Sequence, residues 1–164
     1  MASNYILTQS AIDLKLRRMA LEIAERNIGE PLIILAGVDK NGTVICNRLL
    51  FFLKEIFSGN LQQVTISLHK KHPAAVSFSP YLIVDGAVVI IVDDVAHSGK
   101  TLTYALKPFL EFFPKKIQTL VLVDRTHKLF PIQPDYVGIS LSTTLQNYIE
   151  VEIEDGLPVA AVIA

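Results

Sequence analysis

Val88 to Val92 (VVIIV) is an unbroken apolar run that ends in two adjacent carboxylates, Asp93 and Asp94. Leu32 to Ala36 (LIILA) is a second such run, and Ile117 to Val123 is a third, largely apolar segment. A strand with one face in water alternates apolar and polar residues, whereas a strand that is apolar throughout has to be covered on both faces. Helical patterns lie between these runs. Ile12, Leu16, Met19, Ala20 and Ile23 recur at helical spacing, and Lys15, Arg18, Glu22 and Glu25 fall elsewhere. This predicts a helix over 8–28, capped by Thr8 or Ser10 and broken by Gly29-Glu30-Pro31. Buried strands alternating with helices predict an α/β fold whose mostly parallel central sheet carries helices on both faces. A chain of 164 residues matches one domain, 1–164.

The remaining pattern is read the same way. Gly37 to Gly42 is expected to be a turn, Thr43 to Phe57 a helix and Val64 to Leu68 a short strand. Residues 69–86 carry Pro73, Pro80 and Gly86 among their breakers and are expected to form a long loop with room for a hairpin. Thr101 to Phe113 is a helix bent or ended near Pro108. Tyr136 to Ile139, Ile149 to Ile153 and Val159 to Ile163 are short strands. Ligands of parallel sheets bind beyond the carboxyl ends of the strands, so loops 37–42, 93–101 and 124–135 should share one edge and build the site.

Composition narrows the function classes. Hydrophobic residues make up 51% of the chain and charged residues 19%, which excludes intrinsic disorder. The net charge of −1 gives no global attraction to nucleic acid. Cys46 is the one cysteine and has no partner for an internal disulfide. The first residues lack the order of a signal peptide, and no apolar run is longer than that of Ala87 to Val92, far short of the ~20 residues that span a bilayer. The expectation is a soluble, cytoplasmic protein.

The stretch that carries chemistry is Val88 to Thr101, VVIIVDDVAHSGKT. A buried strand delivers Asp93 and Asp94, and Ser98-Gly99-Lys100-Thr101 then opens a helix. Free backbone amides at such an opening bind a phosphate, and Gly99 permits close approach. The hydroxyls of Ser98 and Thr101 add donors. Two carboxylates beside that phosphate suit the vicinal hydroxyls of a sugar and a divalent metal. A Walker A loop is excluded, because the position five before Gly99 is Asp94 where that motif requires glycine.

This stretch resembles the phosphoribosyl pyrophosphate (PRPP) signature of type I phosphoribosyltransferases: an apolar strand, two acids, two small or apolar residues, a variable residue, then [ST]G-x-T. The resemblance extends over most of the chain. The first helix ending in AERN, the LIILAGV segment and LVDRTHKLFPIQPDYVGISLST are most similar to the family of bifunctional pyrimidine-operon attenuation regulators and uracil phosphoribosyltransferases. It implies that family's fold, a parallel sheet with a small hood. It also implies transfer of phosphoribose from PRPP to a pyrimidine base, uracil first, with release of pyrophosphate. Asp93 and Asp94 would hold the ribose hydroxyls directly or through Mg²⁺. Val95, Ala96, His97, Ser98, Gly99, Lys100 and Thr101 would take the 5-phosphate, and Val38, Asp39, Lys40 and Asn41 the pyrophosphate. The catalytic residues implied are Asp93, Asp94, Lys40 and Lys70, the last in the basic loop expected to close over PRPP, where Lys70 or Lys71 would have to serve for a missing arginine. The base pocket would be His97, Asp124, Arg125, Tyr136 and Val137, with Tyr136 stacking on the base and the Val137 backbone reading its edge.

The sequence departs from the resemblance at one turn. The regulators typically have lysine-threonine-arginine-glycine where this chain has Asp39-Lys40-Asn41-Gly42. An arginine that grips pyrophosphate bidentately is thus replaced by a neutral amide. That opens an alternative, a non-catalytic PRPP or nucleotide sensor of the same fold, linked to RNA or a partner. Asp124 stands where purine-using relatives carry a lysine, which disfavours a purine substrate. Specific RNA binding is disfavoured too, because Asp13, Glu22 and Glu25 interleave with Lys15, Arg17, Arg18 and Arg26. The resemblance implies a homodimer or larger assembly.

Overall fold

The computed structural model describes residues 4–69, 71–73, 75–142 and 147–164. In chain order the elements are β1 (Asn4–Thr8), α1 (Gln9–Arg26), β2 (Leu32–Val38), α2 (Asp39–Ile56), β3 (Asn60–Ser67), β4 (Ser77–Ser79), β5 (Val88–Ala96), α3 (Lys100–Ala105), a 3₁₀ turn (Phe109–Glu111), β6 (Lys116–Arg125), β7 (Tyr136–Leu141), β8 (Ile149–Glu154) and β9 (Leu157–Ile163). The six-stranded sheet has the order β4-β3-β2-β5-β6-β7. All its pairings are parallel except the short β4, which runs antiparallel along β3 and supplies the hairpin foreseen within 69–86. A second sheet, β1-β9-β8, is antiparallel and forms a small hood.

The apolar runs are apolar because both faces of the sheet are covered. Val88, Ile90 and Val92 pack into one cluster with Ile12, Leu16, Met19 and Ile23 of α1 and Ile45, Leu49 and Leu53 of α2. Val89 and Ile91 point the other way, into a cluster with Leu102 and Ala105 of α3 and with Phe109. All nine residues of β5 are buried, including its two aspartates.

Several boundaries differ from the expected ones for identifiable reasons. Thr8 caps α1 as anticipated, its hydroxyl accepting from the Ala11 amide at 3.3 Å. The expected turn over 37–42 does not exist as a separate loop, because β2 runs to Val38 and α2 begins at Asp39. The reversal is compressed into one residue, Asp39, at φ +51°. The helix foreseen to Phe113 stops at Ala105 and continues as turns and a 3₁₀ segment around Pro108, whose ring removes a donor from the helical ladder. β1 escaped the sequence pattern, since Asn4–Thr8 has one buried residue and is held mainly by pairing with β9.

Cys46 is completely buried on the inner face of α2, and burial pushes its thiol far up from the ordinary value. The sign is clear: a raised thiol stays protonated, and the thiolate is the nucleophile. Alkylation of Cys46 at mildly alkaline pH should therefore be negligible in the folded protein and should become rapid in denaturant. Mass spectrometry of iodoacetamide-treated samples measures this, and rapid labelling of the native protein would contradict the placement.

Candidate active site

The cleft lies beyond the carboxyl ends of the central strands, with the hood as its far wall. It has a volume of about 390 Å³ and is lined by Asn41, by the continuous segment 93–102 and by residues 148–151 of β8 and its approach. Asp93 and Asp94 stand in the second half of β5, shortly before its end at Ala96, and are both buried, at 1% and 7% exposure. The Asp94 amide donates to Asp93 Oδ1 at 2.9 Å, and the Val95 amide donates to Asp94 Oδ1 at 2.8 Å. The other Asp94 oxygen, Oδ2, accepts from the Asn41 side-chain amide at 2.8 Å. Both carboxylates are thus held by short bonds at the bottom of the cleft.

The segment after the acids turns sharply at Gly99, which has φ +84°. A Cβ there would sit 2.7 Å from Ile132 Cγ2. The turn is braced from outside: the amides of Leu129 and Phe130 donate to the Ser98 carbonyl at 2.9 and 3.1 Å. The Ser98 hydroxyl accepts from the Lys100 amide at 3.2 Å, and the Gly99 carbonyl accepts from both the amide and the hydroxyl of Thr103. Lys100 Nζ reaches the Lys71 carbonyl at 3.4 Å, tying this turn to the 69–86 segment. Val95 and Ala96 are buried with their side chains in the core clusters, so only their backbones can meet a ligand.

The structure brings some of the expected residues together and separates others. Asn41, Asp93, Asp94 and residues 95–101 converge on the cleft. Val38 is buried in the core and does not line it; nor do Asp39, whose carbonyl accepts from the Thr43 hydroxyl at 2.6 Å, or the exposed Lys40. Lys70 lies outside the described residues.

The expected base pocket is only partly assembled. His97 lines the cleft, and Arg125 Nη1 lies 3.4 Å from its Nδ1. Asp124 is buried and ion-paired with Lys128, whose ammonium also donates to the Arg125 carbonyl. Tyr136 and Val137 require correction. Tyr136 is fully buried beneath α1, donates its hydroxyl to Gln118 Oε1 at 2.9 Å and carries the Arg26 guanidinium over its ring at 4.8 Å. Burial pushes its phenol up from the ordinary value. It starts β7 opposite Leu120, well before the strand end, so its ring cannot reach the cleft. The Val137 carbonyl accepts from Arg18 at 3.0 Å, which occupies the backbone edge that was to read a base.

Among the described residues, Tyr148 brings an aromatic side chain to the cleft, stacked on His97 with centroids 4.7 Å apart and planes 14° from parallel. Sequence reasoning missed it because Tyr148 precedes β8 in the hood, and the approach of the hood to β5 is a long-range contact. Its signal in the sequence was an isolated aromatic residue ahead of an alternating strand.

Comparison with known proteins agrees with this geometry. The sequence profile of the phosphoribosyl transferase domain matches residues 3–154. The chain belongs to the type I phosphoribosyltransferase family. Within it, the chain is similar to the bifunctional protein PyrR of Clostridium acetobutylicum, with 35% identity over 159 residues covering 91% of this chain and 89% of that one. PyrR of Halalkalibacterium halodurans is 33% identical, covering 93% and 92%. The fold of this phosphoribosyltransferase matches solved structures with lower identity. A hypoxanthine-guanine phosphoribosyltransferase of Bacillus anthracis has a TM-score of 0.79 at 22% identity, covering 98% of this chain and 97% of that one. The hypoxanthine phosphoribosyltransferase of Trypanosoma cruzi has a TM-score of 0.79 at 19% identity, covering 99% and 96%.

Gly99 supplies a direct test of the turn. Gly99→Ala combines a left-handed backbone with a side-chain clash and should cost about 1–3 kcal/mol. Gly29→Ala has the same backbone handedness, φ +80°, but nothing within 4 Å, so it should cost less. Adding Ile132→Ala to Gly99→Ala should change the coupling in the direction of relief, read from urea midpoints in a double-mutant cycle. Strict additivity would mean that Ile132 does not press on this turn.

Proposed function

We propose that the protein transfers phosphoribose from PRPP to a pyrimidine base, uracil first, and releases pyrophosphate, acting as one domain. The observation that carries this reading is the acid pair Asp93–Asp94 buried at the floor of a cleft whose wall is the Ser98–Thr101 turn. On this reading the turn takes the 5-phosphate through the backbone of 96–101 and the hydroxyls of Ser98 and Thr101. The acids orient the ribose through its 2- and 3-hydroxyls. A base nitrogen then forms a bond to the anomeric carbon as the bond from that carbon to pyrophosphate breaks, the electron pair leaving with the pyrophosphate and the proton of the base nitrogen passing to the departing pyrophosphate or to water. The positive charge on the ribose ring in an oxocarbenium-like transition state sits near two fixed carboxylates, which favours it over the ground state.

No cluster of three or more acidic, histidine or cysteine residues among the described residues forms a metal cage by itself. Mg²⁺ does not need one, because it binds through one or two carboxylates plus substrate phosphates. The donor set therefore fits, with Asp93 and Asp94 as holders, and the metal would supply charge to stabilise the departing pyrophosphate. His97 and Tyr148 offer a flat wall for a base beside the acids, and Arg125 steadies His97. A pyrimidine is proposed over a purine on the sequence resemblance alone, because Asp124 is engaged by Lys128 and does not line the cleft.

A second reading is favoured by one observation. Asn41 spends its amide on Asp94 and brings no cation to the pyrophosphate position. A sensor that binds PRPP or a nucleotide without turnover would tolerate that. An RNA-linked role finds less support, since Arg18 and Arg26 of α1 are engaged with carbonyls of Val137, Gly138 and Asp135. No helix among the described residues is long and apolar enough to cross a membrane. The proposal includes a homodimer or larger assembly. An apolar groove between α1 and α2, with Leu21, Phe51, Phe52 and Ile56 between Arg17 and Glu55, is a face suited to a second copy.

Pyrophosphate release from PRPP and Mg²⁺, assayed with each common nucleobase in turn, tests the proposal. Uracil alone should support release, and Asp94→Asn should lower kcat/KM roughly 10²–10³-fold, the range for removing one group that stabilises the transition state. PRPP binding with no release from any base would establish the sensor instead.

A further inference from the structure

Asn41 is the one residue of the expected pyrophosphate turn that lines the cleft, and its side chain is directed at the acid pair. A carboxylate only accepts hydrogen bonds, so the Asn41 group facing Asp94 Oδ2 must be its NH₂, at 2.8 Å. With the Val95 amide on Oδ1, both oxygens of Asp94 are then engaged, one from the backbone of its own strand and one from a different element. The backbone bond alone leaves the carboxylate free to swing about it. Two donors on opposite oxygens fix its plane. The first turn of α2 can reach so far because Gly42 lies against the Val92 carbonyl, where a Cβ would come within 2.5 Å.

We infer that Asn41 is a positioning residue for Asp94: it clamps the second carboxylate oxygen and so sets the orientation in which Asp94 meets the ribose of the substrate. This rests on the transfer reading above and assigns Asn41 a role other than gripping pyrophosphate. An amide suits the task because it donates without adding charge. It restrains the carboxylate while leaving its negative charge available to the sugar hydroxyls or a cation.

The experiment has two parts. The first reads the contact without any ligand. In the unliganded protein the Asn41 side-chain NH₂ resonances should exchange slowly with water, and in Asp94→Ala that protection should be lost. The second reads the role. Asn41→Asp has the same shape, loses the donor and sets like charges together, while Asn41→Ala only loses the donor and Asn41→Gln keeps an amide on a longer arm. The KM for PRPP, and its Kd by calorimetry with Mg²⁺, should rise roughly tenfold in Asn41→Ala, the lower end for a hydrogen bond to a charged group. The rise should be larger in Asn41→Asp and smaller in Asn41→Gln. In Asn41→Ala and Asn41→Gln the KM for the base and the melting temperature should stay near wild type, which a merely structural role would not produce, whereas Asn41→Asp, with a second carboxylate beside a buried one, should also melt lower.

An unprotected Asn41 amide overturns the inference. So does a wild-type protein that binds PRPP with an affinity Asn41→Asp leaves unchanged. Failure of the underlying reading looks different: the wild type binds no PRPP although the Asn41 amide is protected, and the positioning role falls with it.

Discussion

The site depends on how closely the first turn of α2 can lie against the end of β5. At Gly42 the helix rests on the Val92 carbonyl with no room for a side chain, and at Gly37 the strand before it would press a Cβ within 2.7 Å of the Thr43 backbone. These contacts leave no space for a loop between β2 and α2, so the chain reverses at a single residue, Asp39, in a left-handed conformation. The cost of that conformation for a non-glycine residue is of order 1–3 kcal/mol and has to be offset by the packing around it. What it achieves is reach. Asn41 arrives at the acid pair from a neighbouring element, and the floor of the cleft becomes a bonded unit rather than the bare end of a strand.

The central sheet was legible because burial on both faces leaves a mark that a single sequence shows. Val88 to Val92 could not be a surface strand, and the two clusters that cover it share its residues in strict alternation. The acid pair and the Gly99 turn were legible for a related reason. Adjacent carboxylates after an apolar run, followed by a serine-glycine turn into a helix, are costly or strained unless the fold uses them. The boundary at Asp39 was not legible, because Gly37 and Gly42 read as turn residues when their task is close approach. Pattern reports that glycine is needed, not whether it is needed for φ or for space.

The aromatic residues show the limit more sharply. Tyr136 opens a strand and Tyr148 stands just ahead of one, and nothing local tells which ring meets the cleft. The answer is set by depth. Tyr136 opens a strand whose start lies beneath α1, where Asn27 and Gln118 satisfy its hydroxyl. Tyr148 leads into a strand of the hood, whose placement over β5 comes from contacts distant in sequence. Asp124 follows the same logic. It stands at a strand end, as a ligand-binding acid would, but the fold turns it toward Lys128 four residues on.

The charge around the cleft ties these points together. Among the described residues lining it, Asp93, Asp94 and Glu150 are acidic and Lys100 is basic. The proposed substrate carries several negative charges, so such a lining repels it as a bare anion. Two unit charges 4 Å apart interact by about 4 kcal/mol at an effective dielectric of 20, so this is not a small term. An arginine at position 41 would offset part of it, and the neutral amide present does not. The compensating charge then has to come with the ligand, as a cation coordinated by its phosphates, or from lysines outside the lining such as Lys40. On the proposed reading, a cleft built this way should bind the metal complex of a polyphosphate better than the free polyphosphate. It gains that selectivity because Asn41 restrains Asp94 without neutralising it.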